Sequence, residues 1–399
     1  MNNPYNILIA ISILIILSYL FNLISGKLKV PSVILLLLTG IGLQFISNET
    51  GYNFPETKLP LELLGIIGLI FIVLEGALDL KITRQKLPLI GRSFTSAFLI
   101  LIATSGLISW ILIEFVDLPL KSAVIYAVPL GVISSAIAIP SVHKLSEDKK
   151  EFIVYESTFS DIIGIMLFNY IIIGNITSGS SIISFFINLF TILIVSAIST
   201  GLLLFFLNYI KLHIKFYLIF AILILIYSFS KMFHLSPLLF ILIFGLMLNN
   251  ANLFIKGRLA NYLQLEKLQS VTKELSSITA ETAFIVRTFF FILFGYSINL
   301  HLLLDWNVVL IGSLITIAIL LIRFILLRFI SKSNVFPEIF IAPRGLITIV
   351  LFYSIPSEFQ ANTFNEGILF FVIITSSVMM MIGIMVSKSA YNEKPEDLI

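Results

Sequence analysis

Cysteine is absent from this 399-residue chain, which excludes disulfides, thiolate metal sites and cysteine nucleophiles. Charge is also scarce. Only 12% of the residues are charged, against about 25% in a soluble domain, and 58% are hydrophobic. The four histidines, His143, His213, His234 and His301, show no ligand spacing and are read as interfacial. There is no HExxH, P-loop, GxGxxG or nucleophile elbow, so nothing points to a hydrolase, an ATPase or a dinucleotide site. No polar stretch is long enough for a soluble domain, and the tail beyond Met385 is too short for a nucleotide-sensing module. Neither an enzyme, a cofactor nor a nucleic-acid partner is expected.

What is present is apolar sequence. Mean hydropathy is +1.07, and thirteen segments approach the roughly 20 residues that a helix needs to cross hydrocarbon. They run 5–25, 30–47, 60–80, 93–115, 122–143, 152–174, 182–209, 212–230, 235–252, 279–299, 307–330, 335–356 and 365–387. The first has neither a basic n-region nor a small-residue cleavage signal, so it reads as a retained helix. The expectation is an all-α polytopic membrane protein.

Charge placement tests that count. With the amino terminus outside, nineteen of the 25 basic residues fall in inner loops and the tail, and only Lys58, Lys121 and Lys231 fall in outer loops. The bias alternates correctly at every loop, as the positive-inside rule requires. A missed or invented span would invert it from that point on. A cell-membrane protein with a cytoplasmic carboxyl terminus follows as the expectation.

The three remaining basic residues, Arg287, Arg323 and Arg344, lie well inside spans, and so do three acids, Glu75, Glu156 and Asp161, whereas Asp79 and Glu281 sit nearer helix ends, where a charge can snorkel to water. An ionised carboxylate in mid-membrane costs roughly 3 kcal/mol on insertion scales and more by simulation, and by default it marks an ion or proton path. In Glu156-Ser157-Thr158-Phe159-Ser160-Asp161, helical spacing stacks Ser157 under Asp161 with Ser160 alongside. One carboxylate and two hydroxyls make an oxygen-lined site suited to a hard cation or a proton. The plainer alternative is a structural carboxylate paired with an arginine on another helix. At 1.5 Å per residue, Asp161 lies roughly 15 Å from the inner end of its span, Glu156 about 7 Å, Arg323 about 10 Å and Glu75 about 8 Å. Arg344 and Arg287, at about 14 and 12 Å, lie nearer the level of Asp161. Depth therefore suggests a Glu156–Arg323 structural pair that leaves Asp161 free to titrate.

Two spans carry helix-breaking residues. The fifth holds Pro129, Gly131, Ser134, Ser135 and Pro140, and the twelfth holds Pro343-Arg344-Gly345. Proline in a membrane helix frees carbonyls that protein or a cavity must receive. Either alone reads equally well as an ordinary kink. Together they suggest two inverted repeats with a midplane site. The expected division is 1–174 for the first repeat, 182–210 for a linking helix, 211–387 for the second repeat and 388–399 for a cytoplasmic tail.

These residues resemble a known family. Phe71-Ile-Val-Leu-Glu75-Gly-Ala-Leu-Asp79-Leu is similar to the third-helix motif of the monovalent cation:proton antiporters, the sodium/proton exchanger superfamily, in its prokaryotic NhaP-like branch. Glu156-Ser-Thr-Phe-Ser-Asp161 resembles its sixth-helix Glu-Ser-Leu-Leu-Asn-Asp motif, and Arg323 and Ala342-Pro-Arg344-Gly345 resemble its two late arginine motifs. The resemblance implies that Asp161 binds cation and proton in turn, with Ser157 an ion ligand and Glu75 a supporting ligand. It also implies that Glu156 pairs with Arg323, that Arg344 stabilises the helix crossing, and that the protein is a homodimer serving cation and pH homeostasis. Two departures bear on selectivity. Ser160 replaces the family's asparagine, and Ser134-Ser135-Ala136 stands where the fifth-helix Thr-Asp-Pro would be, closer to potassium-efflux relatives. With Ser160 in place of a first aspartate, one titrating acid implies electroneutral one-for-one exchange of Na⁺ or K⁺ for H⁺. The alternatives are a sodium-coupled organic solute symporter, which the shortage of Asn and Gln near the crossing disfavours, and a sensor or channel subunit in which the charges only gate.

Overall fold

The computed structural model describes residues 4–28, 30–50, 58–142, 145–173, scattered positions between 187 and 201, 216–232, 237–254, 265–331 and 335–386. Apart from those scattered positions the expected linking helix lies outside the described residues, as do the tail, His143, His213 and His234. The described chain is all-helical apart from one isolated bridge position at Leu145. That is the natural outcome for backbone in lipid, where every N–H and C=O must be satisfied within its own segment.

The main helices are α1 (Pro4–Leu28), α2 (Ser32–Thr50), α3 (Lys58–Asp79), α4 (Leu87–Val116), α5 (Leu120–Gly131), α6 (Ser135–Ser141) and α7 (Glu147–Ile173). After them come α8 (Phe216–Met232), α9 (Pro237–Asn249), α10 (Leu265–Ser297), α11 (Trp306–Ser331), α12 (Leu346–Tyr353) and α13 (Gly367–Val386), with single helical turns between some of them. Eight stretches among the described residues are long and apolar enough to cross a membrane, from Leu8–Ser25 to Gly367–Val386. Phe216–Ser230 and Phe240–Asn249 are shorter apolar helices.

Several helices outrun the apolar segments that announced them. α10 begins at Leu265, well before the apolar run at 279, and α7 begins at Glu147. Hydropathy marks where hydrocarbon begins, whereas a helix continues for as long as its backbone bonds do. Spans 5 and 12 are interrupted. The fifth divides into α5 and α6 around an unwound Val132-Ile133-Ser134, and the twelfth is turn and extended chain from 335 to 345 before α12 starts.

Packing forms two groups of helices with a bridge between them. α10 lies against α2 and α3, and α9 against α3; α4 lies against α5, α7 and α11, and α11 against α13. The short helix α12 touches α3, α5 and α7, joining the two groups. Where α2 and α10 meet, a side chain on Gly40 would strike the backbone of Ile292, and one on Gly295 the backbone of Leu37. Small residues let helix backbones approach this closely in lipid, where no hydrophobic force drives association. Outward-facing Leu8, Ile9, Ile13, Trp110, Ile317 and Phe329 are all more than half exposed, as lipid-facing residues should be.

Candidate functional site

The two interrupted spans meet at their unwound segments. Ser134 donates its backbone N–H to the Pro343 carbonyl at 2.8 Å. Breaking α5 leaves its last carbonyls without helical partners, and Arg344 takes them up. Its Nε donates to Leu130 O at 2.8 Å and its Nη2 to Gly131 O at 3.1 Å, while Nη1 donates to Ala342 O at 2.5 Å. The guanidinium is fully buried, with three carbonyls as its partners and no acid among them. Gly345 permits the crossing: a Cβ there would lie 2.6 Å from Ile137 Cδ1 and 2.8 Å from Ser134 Oγ. The prolines flank the break instead of forming it, since Pro129 lies within α5 and Pro140 within α6.

Helix α7 passes beside this crossing and supplies its acid. Asp161 is 2% exposed. Its Oδ2 accepts the Ser135 N–H at 3.2 Å, and its Oδ1 has no hydrogen-bond partner among the described residues. Ser160 Oγ accepts the Ile133 N–H at 3.0 Å, satisfying unwound backbone. Ser157 is wholly buried, and its hydroxyl donates along its own helix to Val154 O at 3.3 Å. Ser134 Oγ is buried and, like Asp161 Oδ1, without a partner among the described residues.

One turn earlier on α7, Glu156 meets Arg323 of α11 in a two-pronged pair, Nη2 to Oε2 at 2.7 Å and Nη1 to Oε1 at 3.1 Å. Ser96 Oγ donates to the same Oε1 at 2.7 Å, and Arg323 Nε donates to Glu338 O at 2.8 Å. Both side chains are sealed from solvent. Glu338 also binds Lys149, Nζ to Oε2, at 2.7 Å. Glu75 of α3 lies apart from Asp161's direct contacts and faces Arg287 of α10, Nη2 to Oε1, at 3.4 Å. Depth had placed Arg287 near the level of Asp161. The adjacency of α3 and α10, invisible in a one-dimensional reading, gives it a different neighbour.

A cavity of about 360 Å³ leads to the crossing. Its wall includes Glu75 and Asp79 of α3, Ser135 and Pro140 of α6, and Glu281 and Arg287 of α10. A second cavity, of about 270 Å³, lies toward the opposite ends of α3 and α10, lined by Glu62, Phe290, Ser297, Tyr353 and Glu366. Hollows thus enter from two sides, and the Asp161 carboxylate lies one hydrogen bond beyond the wall of the first.

A family model for the sodium/hydrogen exchanger transmembrane region matches residues 11–388. The chain belongs to the sodium/hydrogen exchanger family. A solved structure of the sodium proton antiporter MjNhaP1 from Methanocaldococcus jannaschii, at pH 8, superposes with a TM-score of 0.67 at 19% identity. The match covers 94% of this chain and 97% of that one. An electron-microscopy structure of the same antiporter gives a TM-score of 0.67 at 20% identity, over 96% and 95% of the two chains. No curated protein sequence matches significantly. This sodium/hydrogen exchanger is therefore a multi-pass membrane cation/proton antiporter and not an enzyme, and the ions are its substrates. The family match also decides against the organic-solute symporter and sensor readings.

Proposed function

We propose that Asp161 carries the exchange, binding one monovalent cation, Na⁺ or K⁺, or one H⁺ in alternation. The observation that carries this reading is where the three intramembrane arginines go. Arg323 is held by Glu156, Arg287 faces Glu75, and Arg344 is spent on carbonyls. None of these contacts involves Asp161. A buried carboxylate with one unpartnered oxygen must be neutralised before it faces a dry barrier, and a proton or a cation does this equally well. Ser157 and Ser160 on its own helix, and Ser134 and Ser135 on the broken span whose Ser135 amide it binds, are the residues that could share ligation, and Glu75 stands in the cavity on the approach. Glu156–Arg323 acts as a structural pair and Arg344 as the stabiliser of the crossing.

With the amino terminus outside, the larger cavity opens to the cytoplasm, and this conformation faces inward. Either neutralised state then allows an inverted-repeat core to change the side from which Asp161 is reached, and cargo shifts the balance only by its differential affinity for the two states. One carboxylate alternating between one H⁺ and one monovalent cation makes the cycle electroneutral. A homodimer in the cell membrane completes the reading. Its test is Asp161→Asn in proteoliposomes carrying a Na⁺ or K⁺ gradient. The amide keeps the shape but releases no proton, so coupled proton flux should vanish while the protein still folds and inserts. Normal coupled flux from that variant would refute the assignment.

A further inference from the structure

The Arg287–Glu75 contact differs in kind from the other intramembrane ion pair. Glu156 and Arg323 share two bonds, the shorter 2.7 Å, with both side chains at most 1% exposed. Arg287 touches Glu75 through one nitrogen at 3.4 Å, and the two side chains remain 14% and 21% exposed. Charge-assisted bonds that hold structure usually measure about 2.7–2.9 Å. This one is long, single-pronged and open to the cavity.

Its placement gives it a part in transport. Ile72, Glu75, Gly76 and Asp79 form one stripe of α3, and Glu281, Phe284, Arg287 and Thr288 one stripe of α10, all of them facing the cavity that includes Ser135. The Ser135 amide binds Asp161. Any ion approaching Asp161 by this route passes Glu75. The other acids on the wall, Asp79 and Glu281, attract cations in general, but neither has an ion-pair partner among the described residues.

We propose that Arg287 is an affinity-determining residue, a tethered counter-cation that occupies Glu75 and competes with the transported ion for it. This rests on Asp161 being the exchange carboxylate. A cation entering the cavity must displace the guanidinium from Glu75 or pass a carboxylate already neutralised, so Arg287 holds the apparent cation affinity down. The signs follow directly. Removing Arg287 exposes an extra negative charge on the approach, removing Glu75 exposes an extra positive one, and removing both restores the original balance. At an effective dielectric constant of about 20, one unit charge shifts an equilibrium roughly tenfold over a dozen ångströms, and screening by cavity water reduces that.

The experiment measures cation-driven proton flux in proteoliposomes as a function of Na⁺ and, separately, K⁺ concentration. The variants are Arg287→Gln, Arg287→Lys, Glu75→Gln and the Glu75→Gln/Arg287→Gln double, with Asp161→Asn as the blank. Arg287→Gln should lower KM about three- to tenfold, more than it changes the maximal rate. Glu75→Gln should raise KM by a similar factor, Arg287→Lys should keep it high, and the double variant should return near the wild-type value. A purely structural pair would lower maximal rate and stability in both single variants without moving KM in opposite directions. An unchanged or raised KM in Arg287→Gln overturns the proposal, as does a double variant that keeps the low KM. If Arg287→Gln does not fold, a Glu75→Gln variant whose KM fails to rise overturns it equally. Transport by the Asp161→Asn blank would instead strike the reading on which the proposal rests, so the two failures are distinguishable.

Discussion

Replacing Glu156 by glutamine should destabilise the exchanger more than any change at Asp161. The substitution keeps size and shape but removes the charge that Arg323 faces, leaving a wholly buried guanidinium with the Glu338 carbonyl at 2.8 Å as its remaining strong partner. Removing one member of a buried ion pair typically costs about 3–5 kcal/mol, roughly two to four orders of magnitude in the folding equilibrium constant. Arg323→Gln should cost a similar amount, because among the described residues Glu156 keeps only the Ser96 hydroxyl. The double variant should lose much less than the sum of the two. Its residual deficit is the unsatisfied hydroxyl and carbonyl, each worth about 1–3 kcal/mol. The assay has to suit the chain. With no cysteine, thiol dyes report nothing, and Trp110 and Trp306 face outward at 57% and 74% exposure, so their emission is a poor monitor of the core. Heating detergent-solubilised protein and reading the surviving monodisperse fraction by size-exclusion chromatography avoids both problems. If the double variant loses as much as the two singles combined, the residues are not partners in the energetic sense and the reasoning fails.

Asp161→Asn, in the same melting assay, should shift stability far less than Glu156→Gln, since it removes no paired charge; a comparable loss would mean that Asp161 has a structural partner. Exchange in proteoliposomes should be insensitive to an imposed membrane potential, and a several-fold change of rate with potential would reveal a second titrating acid. Gly345→Ala should cost about 1–3 kcal/mol and slow exchange, because Ile137 and Ser134, which its methyl would meet, are themselves buried; wild-type melting and flux would show that the crossing has slack.

The sequence revealed most where an error would have been costly. A charge in hydrocarbon needs a reason, so the intramembrane acids and arginines stood out by their expense alone, and depth sufficed to bring Glu156 and Arg323 to one level. Depth did not find Arg287's neighbour, because helices at the same height can lie on opposite sides of a bundle and only α3–α10 packing decides. Proline located the broken spans but not the break, which falls between Pro129 and Pro140 where hydrogen bonds from α7 and the twelfth span replace those of the helix. Helical spacing put Ser160 beside Asp161 but gave no sign that its oxygen also receives the Ile133 N–H, freed because span 5 unwinds. The Lys149–Glu338 contact joins residues far apart in the chain, with neither deep enough in a span to draw attention as an unpaired charge.

The bond from Ser134 to Pro343 and the reach of Arg344 to Leu130 and Gly131 have a mechanical consequence. These three bonds stitch the two broken segments together among residues that are all buried. Prising the segments apart would strand a guanidinium and several backbone groups in a dry interior. The crossing is therefore a rivet and not a hinge. On the reading proposed above, whatever flexes during a turnover flexes elsewhere, and the acid's immediate cradle would travel as a fixed piece while the walls around it open on one side and close on the other.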